Sequence, residues 1–189
     1  MEQITKYLNP VFNFLDSGKL FKQPLMYLYY AIGVALCVFG IVKIVDNFDS
    51  FSYMSGASKF YTIMMVLVLL AACVFSLMFW FRRAGDLKNE RFDETRFIAI
   101  PVVASLIRTI GEYLGLLIAY LGVCSGILTI VILVFDSPEA FKLGLIELFG
   151  GAILGYLIIV FLRYSAELIL AIAAIANNTK DAVEVLKKK

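Results

Sequence analysis

Long apolar runs dominate the hydropathy pattern of the chain, and four of them occupy residues 25–45, 60–81, 97–135 and 148–176. A helix needs roughly 20 mainly apolar residues, rising about 1.5 Å each, to cross the hydrocarbon of a bilayer. Each of the four runs meets that requirement. A membrane-embedded barrel would instead show short segments of alternating polarity. The pattern therefore predicts an all-α polytopic membrane protein with four transmembrane helices.

Polar segments between the runs divide the predicted helices into two hairpins. The second hairpin turns at "DSPE", where Ser137 can cap a helix and Pro138 fits its first turn. We therefore expect a first transmembrane hairpin over residues 24–87. A second is expected over residues 92–186, and it includes a cytoplasmic helical extension.

The first 20 residues have a different pattern, which is typical of a helix lying on a membrane surface. Six apolar residues share one helical stripe: Ile4, Tyr7, Leu8, Val11, Phe12 and Leu15. Most polar residues fall elsewhere, so residues 1–20 are expected to form an interfacial amphipathic helix. Packing of this stripe against the protein's own cytoplasmic parts is the alternative.

Composition agrees with a membrane location, and the charges indicate an orientation. Hydrophobic residues make up 61% of the chain and charged residues 17%, which is outside the range of ordinary soluble domains. Lysine and arginine collect before the first run, between the second and third, and at the C-terminus. The opposite side has only Lys43, Lys59 and Lys142. By the positive-inside rule, both termini are expected to be cytoplasmic.

The third run is too long for a single crossing. Its 39 residues would form a helix of about 58 Å, against about 30 Å of hydrocarbon. A break is expected around "PVVASLIRTIGEYLG", which begins at Pro101. Residues 113–135 would then cross the membrane, and residues 97–112 would lie at or beyond the cytoplasmic interface. This places Arg108 and Glu112 near the inner leaflet.

Four charges lie inside the predicted second hairpin, as two R-x-x-x-E motifs. These are Arg108 with Glu112 and Arg163 with Glu167. In an antiparallel hairpin turning between Ser137 and Pro138, Arg108 would lie opposite Glu167, and Glu112 opposite Arg163. The sequence therefore favours a charge clamp between the helices, because ionisable groups at membrane depth usually pair. Two alternatives stay open: closure of each motif within its own helix, and an ion or proton route.

Small residues recur at a spacing that allows close helix packing in membranes. Three G-x-x-x-G steps occur in the second hairpin: Gly111 with Gly115, Gly122 with Gly126, and Gly151 with Gly155. Such steps let helix backbones approach one another. We expect these glycines to mediate helix packing, either inside the bundle or between subunits.

Groups that usually perform catalysis are scarce. The sequence has no histidine and no Walker, dinucleotide-binding or metal-ligand motif. Cys37, Cys73 and Cys124 fall within the predicted spans, where they are expected to act as small apolar residues. We therefore expect no enzymatic activity and no cofactor or metal. A net charge of +2, with basic residues flanking the spans, indicates a lipid bilayer rather than nucleic acid as partner.

Two motifs in the C-terminal half, residues 92–185, match the two parts of a known sequence pattern. The first part is matched by Phe92, Thr95, Arg96, Phe97, Ile98 and Pro101, with one extra residue before the proline. The second part is matched by Arg163, Glu167, Ile175, Ala176, Asn178 and Thr179. In these residues the chain resembles the bacterial membrane family called domain of unknown function 4282. The resemblance implies a two-helix unit in the inner membrane of a bacterium and no particular activity.

Two classes of function are compatible with this sequence. The first is a non-enzymatic membrane component that oligomerises, or that serves as scaffold or accessory subunit of an inner-membrane assembly. It would oligomerise through the small-residue faces and present the cytoplasmic ends of the third and fourth helices to a partner, either a second copy or another membrane protein. The apolar residues of the 168–186 tail could continue the fourth helix past the membrane. The second class is a small ion channel or transporter formed by the oligomer and lined by the four charges.

Overall fold

The fold is described by a computed structural model for residues 19–48, 51, 54–89, 99–133 and 138–187. All regular elements in these segments are helical: α1 (Lys19–Phe48), α2 (Gly56–Asn89), α3 (Ala99–Leu128), which continues as a π-helix (Thr129–Leu133), and α4 (Pro138–Lys187). Each of the four helices is long and apolar enough to cross a membrane. This confirms the prediction of an all-α polytopic membrane protein. The predicted interfacial helix lies almost wholly outside the described residues.

The helices form two antiparallel hairpins that meet along one seam. α1 packs on α2, and α3 with its π-helical end packs on α4. The seam joins α2 to α3 and is much less extensive than either hairpin contact. Among the described residues, α1 and α4 have no extensive contact with one another. The four helices therefore lie in a row, with α1 and α4 at the two edges.

The largest apolar core lies where α1 begins, α2 ends and α3 begins. Its buried members are Leu25, Tyr29, Trp80, Ala84, Leu87, Val102 and Tyr113. Three aromatic rings form its centre, because Trp80 lies 5.2 Å from Tyr29 and 5.3 Å from Tyr113 between ring centroids. Aromatic pairs at such distances add to the apolar burial. By the charge distribution, this is the end predicted to be cytoplasmic.

The expected break in the third run does not occur near Pro101, since α3 is one continuous helix from Ala99 to Leu128. Pro101 lies in the first turn of α3, where no intrahelical partner for its missing N–H is required. The irregularity comes instead near the other end, where the backbone widens into the π-helix Thr129–Leu133. Such π-helical turns are uncommon and often accompany functional sites.

Glycines bring α3 and α4 into backbone contact. A Cβ atom added to Gly122 would lie 2.6 Å from the Cα of Gly151, and one added to Gly126 would lie 2.5 Å from the backbone nitrogen of Leu148. The other three predicted glycines also lie in this interface: Gly111 against Leu162, and Gly115 against Gly155. Gly144, which the sequence motifs did not include, packs on Ile130 in the same way. All six predicted glycines therefore serve the internal hairpin.

Candidate functional site

A group of three charged side chains, the inter-hairpin charge cluster (Arg83, Arg108 and Glu112), spans the seam between the hairpins. Glu112 of α3 accepts a hydrogen bond from Nε of Arg108, one turn earlier, at 2.9 Å. It also forms an ion pair with Arg83 of α2. The Glu112 side chain is only 12% exposed, so the carboxylate is largely withdrawn from solvent. Hydrogen bonds from two guanidinium groups compensate for that burial.

Arg83 is held by groups on its own helix as well. Its second terminal nitrogen lies 3.6 Å from Oδ2 of Asp86, one turn further along α2. Its guanidinium carbon also lies 5.6 Å from the centroid of the Phe79 ring, a distance at which a cation is attracted to the ring face. The cationic group therefore has a fixed position when it meets Glu112.

A second polar link crosses the same seam, one residue further along α3. The hydroxyl groups of Ser76 and Tyr113 are 2.8 Å apart, and both residues are buried. Ser76 donates its single hydroxyl proton to the carbonyl oxygen of Ala72 at 2.7 Å, so Tyr113 is the donor to Ser76. The seam is therefore connected by an ion pair and a neutral hydrogen bond on consecutive α3 residues.

A polar recess of about 430 Å³ opens beside the charge cluster. It is lined mainly by polar side chains from α1, α2 and α3: Tyr29, Arg83, Asp86, Ser105, Arg108 and Thr109. Its volume lies within the range of about 300–1,000 Å³ that small-molecule sites occupy. Among the predicted site residues, Arg108 contributes directly to its wall.

The two predicted cross-pairs of the charge clamp are not formed. Arg163 and Glu167 lie 3.5 Å apart on α4 and pair with each other, and both are exposed. No ion pair of the described residues joins either of them to Arg108 or Glu112. Leu162 packs on Gly111, and Ala166 is buried. Arg163 and Glu167 each follow one of these residues by one position, a rotation of about 100° around the helix, and both are exposed. Each R-x-x-x-E motif instead closes within its own helix, which is the alternative that the sequence left open.

Arg83 is the member of the cluster that the sequence analysis did not single out. A signal for it exists in the spacing of α2, because Ser76, Trp80 and Leu87 are all buried and Arg83 falls on the same helical face. An arginine in an otherwise buried stripe is expected to have a carboxylate partner. The periodicity of α2 does not indicate which residue of α3 is that partner.

A further polar pair lies near the opposite end of the second hairpin. Thr129, in the π-helix, donates from its hydroxyl to Oε2 of Glu147 at 3.0 Å. Thr129 is 2% exposed, and Glu147 borders an open apolar groove between α2, α3 and α4. In the sequence, Glu147 directly precedes the fourth apolar run, which begins at residue 148. The structure places it inside α4, facing the π-helix that continues α3.

Metal-binding geometry is not found in the part of the chain that the structure describes. No group of three or more cysteine, aspartate or glutamate side chains there is arranged to hold a metal ion. The three cysteines are free thiols. The sulfur of Cys73 lies 3.7 Å from the carbonyl oxygen of Cys37, which is compatible with a packing role at the α1–α2 contact.

Comparisons with known proteins assign this arrangement to no family. Neither a protein-family model, nor a curated protein, nor a solved structure matches the chain. No family or activity follows from these comparisons.

Proposed function

We propose that this protein is a non-enzymatic component of a bacterial inner-membrane assembly, with both termini in the cytoplasm, and that it oligomerises through α4. The observation that carries the proposal is an exposed stripe on the C-terminal part of that helix, from residue 168 onward. Its members are Leu168, Ile172, Ile175, Thr179, Ala182 and Leu186, called here the C-terminal stripe. Every one of them is exposed.

The spacing of the C-terminal stripe is that of a helix-pairing seam. Its residues follow one another at alternating intervals of four and three, which is the a/d pattern of a coiled coil. Such a pattern keeps one face directed at a partner helix over successive turns. The polar Thr179 at one position is compatible with the pattern, because single polar residues in such seams help to set register.

The distal part of this stripe has no described helix beside it. Gly122 packs on Gly151, and the same antiparallel register places Ala99, the first residue of α3, opposite residue 174. α4 continues to Lys187, about 20 Å beyond that level. Ala182 and Leu186 lie beyond the candidate membrane span, which ends at Thr179. Exposed apolar side chains at this level favour an interaction surface, because water would otherwise solvate them.

The same spacing continues towards the membrane interior. Leu154, Leu157, Phe161 and Tyr164 extend the series, and all four are exposed. An apolar recess of about 740 Å³ lies on this face, bordered by Leu157, Phe161 and Leu114 among others. Lipid covers such a surface without a protein partner, so the cytoplasmic part of the stripe supports the proposal. The apolar lining of the recess supports a partner helix that enters along the stripe and continues into the bilayer.

A matched pair of alanine substitutions tests the proposal. We expect Ala182→Asp to reduce a homo-oligomer to the 21.1 kDa monomer, because a charge would then lie in the helix-pairing seam. Ala174→Asp introduces the same charge at an exposed position on another face of α4 and is expected to leave the oligomer intact. The intact mass of the complex, extracted in mild detergent, is the measurement.

Two results would contradict the proposal. One is a wild-type protein that is monomeric and carries no second protein at a fixed ratio. The other is equal loss of assembly in Ala182→Asp and Ala174→Asp. A different membrane protein bound at a fixed ratio and released by Ala182→Asp supports the accessory-subunit form of the proposal.

A conducting oligomer is the second candidate, and the pair of Thr129 with Glu147 is the observation that favours it. A carboxylate directed at an irregular helix can hold a cation in transit, because ionisable groups at membrane depth often mark such pathways. If the oligomer conducts cations, Glu147→Gln is expected to lower flux into reconstituted vesicles about tenfold. Glu112→Gln tests the inner end in the same way. Wild-type vesicles that leak no faster than protein-free vesicles exclude this candidate.

A further inference from the structure

Two charged groups of the polar recess retain unused binding capacity. Arg108 contacts Glu112 through Nε, and its terminal nitrogens have no partner among the described residues. Asp86 lies 3.6 Å from Arg83, which is longer than a hydrogen bond. The side chains of Arg108 and Asp86 are 48% and 56% exposed. The recess therefore presents one guanidinium fork and one carboxylate to an incoming molecule.

The other charges beside the recess are engaged with one another. Arg83 is bonded to Glu112 through one terminal nitrogen, while its other terminal nitrogen lies 3.6 Å from Asp86, a weaker electrostatic contact. Glu112 is shared by two arginines. Taken together, Arg83, Arg108, Asp86 and Glu112 carry no net charge. A ligand with a single negative charge would meet Asp86 as well as Arg108. A ligand with both signs of charge fits the recess better.

The position of the recess determines which such ligand reaches it. It lies among the ends of α1, α2 and α3 that carry the excess of lysine and arginine, including the exposed Arg82 and Lys88. By the positive-inside rule, this is the level of the inner-leaflet headgroups. Basic pockets between transmembrane helices at this level bind the phosphate groups of anionic lipids, and Arg108 is the basic residue with free donors here.

We propose that the recess binds the phosphoethanolamine headgroup of a membrane phospholipid. The terminal nitrogens of Arg108 hold the phosphate, as a guanidinium fork is suited to do. The carboxylate of Asp86 accepts hydrogen bonds from the primary ammonium group. Ser105, in the lining, adds a hydroxyl donor for the phosphate. The proposal is independent of the oligomer, because all lining residues belong to α1, α2 and α3 and none to the C-terminal stripe.

The experiment measures lipid retention by native mass spectrometry of the full-length protein. The probes are phosphatidylethanolamine and phosphatidylglycerol with identical acyl chains. We expect the wild type to retain the ethanolamine lipid about tenfold more strongly. Arg108→Gln is expected to weaken both lipids, whereas Asp86→Asn is expected to remove the preference between them. Arg163→Gln is the matched control, since Arg163 also pairs with a glutamate one turn away but lies on α4, away from the recess.

Three outcomes would overturn the assignment. Equal retention of the two lipids by the wild type would show that Asp86 does not recognise the ammonium group. Equal effects of Arg108→Gln and Arg163→Gln on lipid retention would show that the recess is not the binding site. Displacement of the lipid by an equal concentration of water-soluble glycerophosphoethanolamine reassigns the site to a soluble ligand. Because Asp86 is exposed, Asp86→Asn is expected to fold normally, and it keeps the test decisive if Arg108→Gln proves unstable.

Discussion

Replacement of Glu112 by glutamine is expected to lower the free energy of unfolding by about 1.5–3 kcal/mol, the range for hydrogen bonds to charged groups. The carboxylate is largely buried and bonded to Arg108 and also to Arg83, and the amide would leave two guanidinium groups without a countercharge. Arg83 belongs to the other hairpin, so the loss falls on the seam between the hairpins. Reversible unfolding in mixed detergent micelles measures the change.

The second R-x-x-x-E motif provides the control for that measurement. Glu167 pairs with Arg163 in the same i, i+4 arrangement, but its side chain is 69% exposed and contacts no second arginine. Exposed pairs of this kind contribute less than about 1 kcal/mol. Glu167→Gln is therefore expected to have little effect. Equal destabilisation by Glu112→Gln and Glu167→Gln would contradict the importance of the inter-hairpin contact.

The second large effect is expected in the contact of α3 with α4. Gly151→Ala places a Cβ atom 2.6 Å from the Cα of Gly122, and backbone cannot rotate away as a flexible side chain can. The two helices must separate, and overpacking of this kind typically costs about 1–3 kcal/mol. We expect a loss of stability in that range, measured by the same unfolding method.

The adjacent glycine makes a matched control. A Cβ atom at Gly150 would meet nothing within 4 Å, and alanine favours a helix over glycine by up to about 1 kcal/mol. Gly150→Ala is expected to be neutral or slightly stabilising. If the two alanine variants have the same stability, the glycine contact does not determine the distance between α3 and α4.

Helix number and pairing could be predicted from sequence because each depends on local pattern. Long apolar runs identified the four helices, and the turn at "DSPE" identified the second hairpin. The predicted register was close as well. It placed residue 122 opposite residue 153, and the structure places Gly122 against Gly151. The glycine spacing identified the helix faces in contact, since small residues are what close packing in a membrane requires.

The charge cluster could not be predicted in the same way, because side-chain direction is more sensitive than register. Two positions along an α-helix correspond to a rotation of about 200°. A small error in register therefore moves a side chain from the interface to the outside, as happened for Arg163 and Glu167. The pairing of Arg83 with Glu112 depends on how two hairpins meet, and no local pattern within either hairpin encodes that contact.

The backbone contact of Gly122 with Gly151 also has a consequence for how motion of α4 is distributed along its length. The helix extends about 20 Å from Gly151 to its first residue, Pro138, and about 54 Å from Gly151 to Lys187. For a rigid helix that pivots at this glycine contact, a change of tilt displaces the C-terminal end nearly three times as far as the N-terminal end. Small rearrangements near Pro138 are thereby amplified at the end that carries the C-terminal stripe.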